Sequence, residues 1–180
     1  MEILMKTVAL IIGHTKKSPG AKNKKEGLTE FDFNNDLSKR IESKVKNVFI
    51  QRVYRITYAE LPDKINSLNP DFIISLHCNA FDQKTSGTEV LYWHNSRRGK
   101  QIAGVLQSHL VKHLQLPNRG IKQVRGGDRG GLLLCLTKAP CIISEPFFID
   151  NNNDLSRALK DRDGLAQAYA KAIDEISKLI

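Results

Sequence analysis

Apolar residues fall along this chain in short clusters separated by polar, glycine-containing stretches. Five clusters, at residues 7–12, 48–54, 72–77, 88–93 and 141–144, are rich in Val, Ile and aromatic side chains and predict β-strands. Between them the period changes. Phe33, Leu37, Ile41 and Val45 recur every four residues, which predicts a helix starting near Thr29 and stopping before Asn47, with Asp32 completing a variant of the capping box. A short helix over residues 61–68 is expected to end at Asn69 and Pro70, because the residue before proline is pushed out of helical geometry. Two longer helices follow, over about 96–115 and 162–179, the last one burying Leu165, Ala168, Tyr169, Ile173 and Ile176.

Strands that are almost wholly apolar and alternate with helices imply the α/β class, with a mostly parallel twisted sheet covered by helices on both faces. A length of 180 residues fits a single domain over 1–180. Apolar residues at 41% and charged ones at 26% sit close to globular averages, which excludes disordered and fibrous classes. The cysteines Cys78, Cys135 and Cys141 are odd in number and lie in apolar runs, so all three are expected to be reduced and buried.

The formal charge of +9 favours a polyanionic partner, but nucleic acid, anionic membrane and anionic cell wall satisfy it equally. The apolar stretch over 8–12 has Glu2 upstream and no small-residue cleavage site, so no signal peptide is expected. No apolar run approaches the roughly 20 residues that span a bilayer, and no stable membrane insertion is expected. These features suggest a monomer that stays in the cytoplasm until it is released.

Two loops stand out: the basic segment 16–27, and the segment 124–131 with its four glycines, Arg125, Asp128 and Arg129. Long loops in a compact domain are disproportionately functional. The second lacks the Gly-Lys-Ser/Thr ending of a phosphate-cradling loop. Four chemically capable residues then fall at one edge of the expected sheet. His14 follows the first strand, His77 closes the third, Glu145 closes the last, and Glu30 stands in the first turn of the helix after the first strand. Two histidines and one carboxylate suit zinc with a fourth position open, and Glu145 is then left for acid–base work.

The stretches Ile12-Gly13-His14, Thr29-Glu30, Ile74-Ser75-Leu76-His77-Cys78-Asn79-Ala80 and Ile143-Ser144-Glu145-Pro146-Phe147-Phe148-Ile149-Asp150-Asn151 resemble the four signatures of the type 3 zinc-dependent N-acetylmuramoyl-L-alanine amidases. Residues 87–93 and 118–122 extend the resemblance over nearly the whole chain. It implies one zinc held by His14, Glu30 and His77, and catalysis by Glu145. The substrate implied is peptidoglycan, cut between N-acetylmuramic acid and L-alanine. Asn79 is a candidate substrate contact from its position alone. The chain departs from the family at Ile12, Thr15, Cys78 and Pro146, beside the four side chains rather than at them, and in the helix before the second histidine, where the family's arginine-rich pattern is reduced to Lys64, Ile65 and Asn66, so substrate contacts on that side do not carry over. With no separate wall-binding domain expected, the catalytic domain looks like that of a phage endolysin, acting on the wall once the membrane is breached.

Four other readings remain. His109 and His113 share a helix face, but no Glu lies between them to serve as the base of a metalloprotease helix. Cys78 as a nucleophile would have its neighbour His77 on the opposite side of the strand. A non-enzymatic basic module binding nucleic acid or wall polymer lacks an aromatic stacking platform, so no nucleic acid partner is expected. The closest enzymatic alternative is a zinc peptidase acting on the stem peptide.

Overall fold

The computed structural model describes residues 5–180; Glu2, which entered the expectation about a leader, lies outside the described residues. The chain alternates strands and helices in the order β1 (Lys6–Ile12), α1 (Glu30–Lys44), β2 (Val48–Tyr54), α2 (Leu61–Leu68), β3 (Phe72–Leu76), β4 (Thr88–Trp93), α3 (Arg97–Leu114), β5 (Asn118–Val124), α4 (Gly131–Leu136), β6 (Cys141–Glu145), α5 (Asn152–Lys160) and α6 (Arg162–Ser177). The six strands form one sheet in the order β2-β1-β3-β6-β4-β5. All neighbours are parallel except β4 and β6, which run antiparallel.

The central strands are buried on both faces, so successive residues enter different cores. Val8 and Leu10 of β1 face a larger cluster with Leu37 and Ile41 of α1, Leu106 of α3 and Tyr169 of α6. Ala9 and Ile11 face a smaller cluster with Leu61 and Ile65 of α2 and Leu133 and Leu134 of α4. Burial of each large aliphatic side chain contributes about 1.5–3 kcal/mol, which is why these strands tolerate almost no polar residues. The helix starts follow the expected chemistry. Thr29 accepts a bond from the Asp32 amide at 3.2 Å and donates its hydroxyl to the Asp32 carboxylate at 2.6 Å.

The structure adds three elements to those expected. β5 is a polar edge strand carrying Arg119, Lys122 and Gln123, and it is defined by its pairing with β4 rather than by apolar content. α4 is a helix of six residues, too short to show a period. α5 is largely polar and is announced mainly by its cap, where the Asn151 side chain accepts from the amides of Asn153 and Asp154. Cys135 corrects an expectation: Cys78 and Cys141 are buried, whereas Cys135 is exposed on α4.

β1 is the pivot for function. The chain leaves it on one side towards β2 and returns on the other as β3, with α1 and α2 on opposite faces. A crevice forms where strand order reverses in this way, outside the carboxyl ends of the strands. β1, β3 and β6 are consecutive in the sheet, and all three point their carboxyl ends into it.

Candidate metal centre and catalytic cleft

His14, Glu30 and His77 meet at that edge. One ligand atom from each lies within 4.8 Å of the others. Glu30 is the first residue of α1 and only 1% exposed. Its Oε1 lies 2.9 Å from His77 Nδ1 and accepts from the Cys78 amide at 3.1 Å, while Oε2 accepts from the Ala21 amide at 3.2 Å. His14 Nε2 sits 3.1 Å from Glu30 Oε2 without hydrogen-bond geometry, and it is a buried polar atom with no partner. The two imidazoles meet edge to face, with centroids 5.1 Å apart.

The surrounding backbone is shaped to allow this. His14 has φ 67°, a left-handed conformation that a residue with a Cβ adopts at a cost of about 1–2 kcal/mol. The preceding Gly13 bonds to the Leu76 carbonyl at 2.9 Å, locking the end of β1 to β3. Gly20 lies over the pair with φ +78°; a Cβ there would come within 2.5 Å of Glu30 Oε2 and 2.7 Å of His14 Cδ2. The basic loop 16–27 thus closes the site from behind. Its Asn23 is fully buried and anchored by donating to the Ile149 carbonyl at 2.9 Å.

Electrostatics separate the two carboxylates. Burial alone would raise the Glu30 carboxyl, but the adjacent imidazoles overcome it and hold Glu30 well below the usual carboxylate range. Burial pushes His77 down, against the pull of Glu30, so its ring is neutral at neutral pH and has a lone pair to offer. Glu145, at the end of β6, is pushed well up by burial and by the Glu30 charge, and its Oε2 is buried without a partner. An anionic, buried Glu30 with the orphaned His14 Nε2 and the neutral His77 ring beside it is a donor set suited to a cation.

His14, His77 and Glu145 share the wall of a cleft of about 410 Å³, while Glu30 lies behind the histidines. Asn79 also lines it. Its side-chain amide donates to Glu89 Oε1 at 2.7 Å, and Arg119 donates to Glu89 Oε2 at 2.7 Å. Glu89 reaches this edge because β4 runs antiparallel to β6, which pairs Glu89 with Glu145. Neither Glu89 nor Arg119 was singled out by the sequence reading; the signal present was a charged residue on an otherwise apolar strand. Arg55, Tyr58, Asp128, Arg129 and Gly130 complete the cleft, so the glycine-containing loop 124–131 is one of its rims.

The rival sites do not assemble. His109 bonds to Glu175 at 2.8 Å, a contact between α3 and α6, and the cluster of three potential ligands found among the described residues is His14, Glu30 and His77. The Cys78 thiol is pushed well up by burial and lies 3.9 Å from Asn34 Oδ1 in the core, which disfavours the thiolate that a nucleophile requires. No helix among the described residues is long and apolar enough to cross a membrane.

A mixed α/β sheet that brings a His-Glu-His cluster and a separate buried glutamate to a strand switch point is an arrangement able to hold a metal ion beside an acid–base group. The chain belongs to the N-acetylmuramoyl-L-alanine amidase family, whose profile matches residues 8–175. It is similar to the uncharacterized protein YqiI of Bacillus subtilis, 27% identical over 95% of this chain and 81% of that protein. In fold it resembles an N-acetylmuramoyl-L-alanine amidase from Clostridium difficile 630, at a TM-score of 0.82 and 23% identity, covering 94% of this chain and 95% of that one. It also resembles the catalytic domain of the CD27L endolysin targeting Clostridia difficile, at a TM-score of 0.80 and 23% identity, covering 94% and 97%.

Proposed function

We propose that the chain acts as one catalytic domain that hydrolyses the amide between N-acetylmuramic acid and L-alanine in peptidoglycan, using zinc held by His14, Glu30 and His77. The observation that carries this is the orphaned His14 Nε2 beside a buried Glu30 and a neutral His77, a geometry that leaves a lone pair and a negative charge without a cation. Zinc bound there supplies a Lewis acid for the lactyl carbonyl and brings the pKa of a bound water to about 7.

The protein's own groups do the rest. Glu30 is fixed by two backbone amides, so its charge is directed at the ligand site. Glu145, adjacent on β6 and without a hydrogen-bond partner at Oε2, takes the proton of the attacking water and delivers it to the departing L-alanine nitrogen. Asn79 has its amide nitrogen committed to Glu89, which turns its carbonyl into the group available to a substrate donor. An amide is otherwise inert because the amine leaves only when protonated; one carboxyl that first accepts and then donates satisfies both halves of the reaction.

Digestion of purified peptidoglycan tests the proposal. New N-terminal L-alanine, found by end-group labelling and mass spectrometry with no rise in reducing sugar, is the expected result. Another amino acid at the new terminus would shift the reading to a stem-peptide peptidase, and new reducing ends would overturn the amide chemistry altogether.

A further inference from the structure

We infer that Arg55 and Arg129 form a carboxylate-reading wall that receives the peptide arm of the substrate, selecting peptides whose residue after the alanine carries a free carboxylate. The inference rests on the amidase reading of the site and adds the identity and orientation of what fills the cleft.

The two walls of the cleft differ in kind. On one side stand Asn79 and Glu89, with the Glu89 carboxylate already satisfied by Asn79 and Arg119. Paired amide and carboxylate groups of this sort suit the hydroxyls of a sugar. On the other side Arg55 and Arg129 line the cleft from the segment after β2 and the loop before α4, and neither makes a salt bridge with a carboxylate among the described residues, although the Arg129 charge is felt at Glu145. Asp128 lies beside them, but its carboxylate accepts from the Arg125 amide at 2.7 Å. Arg55 is held with its guanidinium over the Tyr58 ring, 5.6 Å from the centroid.

Between the walls, Leu91, Leu132, Leu133 and Ile143 provide an apolar lining. Such a lining is suited to the methyl and methylene groups of a short peptide and offers nothing to a polyol. Arg55 is partly buried beside this lining and Arg129 is exposed at its rim, and a planar guanidinium matches a carboxylate through two parallel N–H donors. Cleavage at the lactyl junction divides the substrate into a neutral sugar part and a peptide that begins with alanine and continues with an acidic residue. The free arginines therefore mark the peptide side, and the Asn79–Glu89 wall marks the sugar side. An amidated acidic residue keeps the shape of this peptide and removes the charge that the arginines recognise.

The test uses two synthetic muramoyl dipeptides, identical except that the acidic residue is a free acid in one and a primary amide in the other. With the zinc-loaded full chain, the acid is expected to show a KM lower by about tenfold with a similar kcat, a difference that shrinks as salt rises. Arg129→Gln is expected to bring the ratio near one through KM, and Arg129→Lys to retain part of it. Equal handling of both substrates by the unaltered protein, or an equal loss on both in Arg129→Gln, overturns the inference while leaving the amidase intact. Titration of the two free dipeptides into the same proteins reads recognition without cleavage. If the protein cuts elsewhere, an acid preference that Arg129→Gln abolishes still upholds the carboxylate wall, and its absence overturns it.

Discussion

Replacing Glu145 with glutamine removes a group that can take up and release a proton and leaves the shape, and its two consequences have opposite signs. Without a carboxylate the water proton has no acceptor and the leaving nitrogen no donor, so turnover is expected to fall by about 10²–10⁴, or about 2.7–5.5 kcal/mol of barrier. Stability of the metal-free protein moves the other way. Burial raises the Glu145 carboxyl well above its ordinary value of 4.5, so above that pH the folded chain keeps a proton that the unfolded chain has released. Stability is therefore fully present at low pH and declines as pH rises towards the folded value, by up to about 1.4 kcal/mol per unit. The amide of Gln does not titrate and escapes this decline. Denaturant melts of both metal-free proteins should show an advantage for Glu145→Gln that widens by up to about 3 kcal/mol from about pH 5 to about pH 7. Adding zinc should narrow it, because a nearby cation favours the ionised carboxylate. A stability difference that does not grow with pH would refute the burial argument, and near-normal turnover would refute the acid–base role.

Purified protein should contain about one zinc per chain and lose activity to a strong chelator, and His14→Ala or His77→Ala should lose the metal in elemental analysis while circular dichroism stays unchanged. Gly20→Ala should weaken zinc binding by about tenfold or more, measured by competition with a chromogenic chelator, because the added Cβ would meet Glu30 Oε2 at 2.5 Å and φ is +78°; unchanged affinity would show that the loop yields freely. The charge of +9 should make binding to isolated walls weaken between low and high salt in pull-down assays, and salt-independent binding would assign the basic surface another use.

Much of the framework was legible because it obeys local rules. The spacing of Phe33, Leu37 and Ile41, the Thr29 cap and the Asn69-Pro70 stop act within a few residues, and the helices begin and end where these signals stand. The convergence of His14, His77 and Glu145 was legible for a different reason: apolar parallel strands have only one edge at which such residues can follow them. What escaped depends on contacts distant in sequence. β5 exists because Ile121 and Gln123 pair with Val90 and Tyr92, not because of its own content. The antiparallel turn of β4, which places Glu89 opposite Glu145, depends on β6 about fifty residues later. Cys135 resembled its apolar neighbours Leu134 and Leu136, yet a helix of one and a half turns exposes part of any uniform run.

The unequal depth of the two helical layers has a consequence for how this molecule can diversify. The groups proposed to hold the metal grow out of the deep side, where α1, α3 and α6 knit one continuous cluster around Leu10, Ile41 and Tyr169. The arginine-bearing rims belong to the shallow side, supported by α2 and the short α4. Insertions, deletions or grafts in residues 55–60 and 125–130 disturb few buried neighbours, so new specificities can be exchanged there like interchangeable jaws on a fixed vice. A library confined to those two segments should yield mostly folded, metal-competent proteins, whereas the same diversity placed in residues 13–30 should yield few.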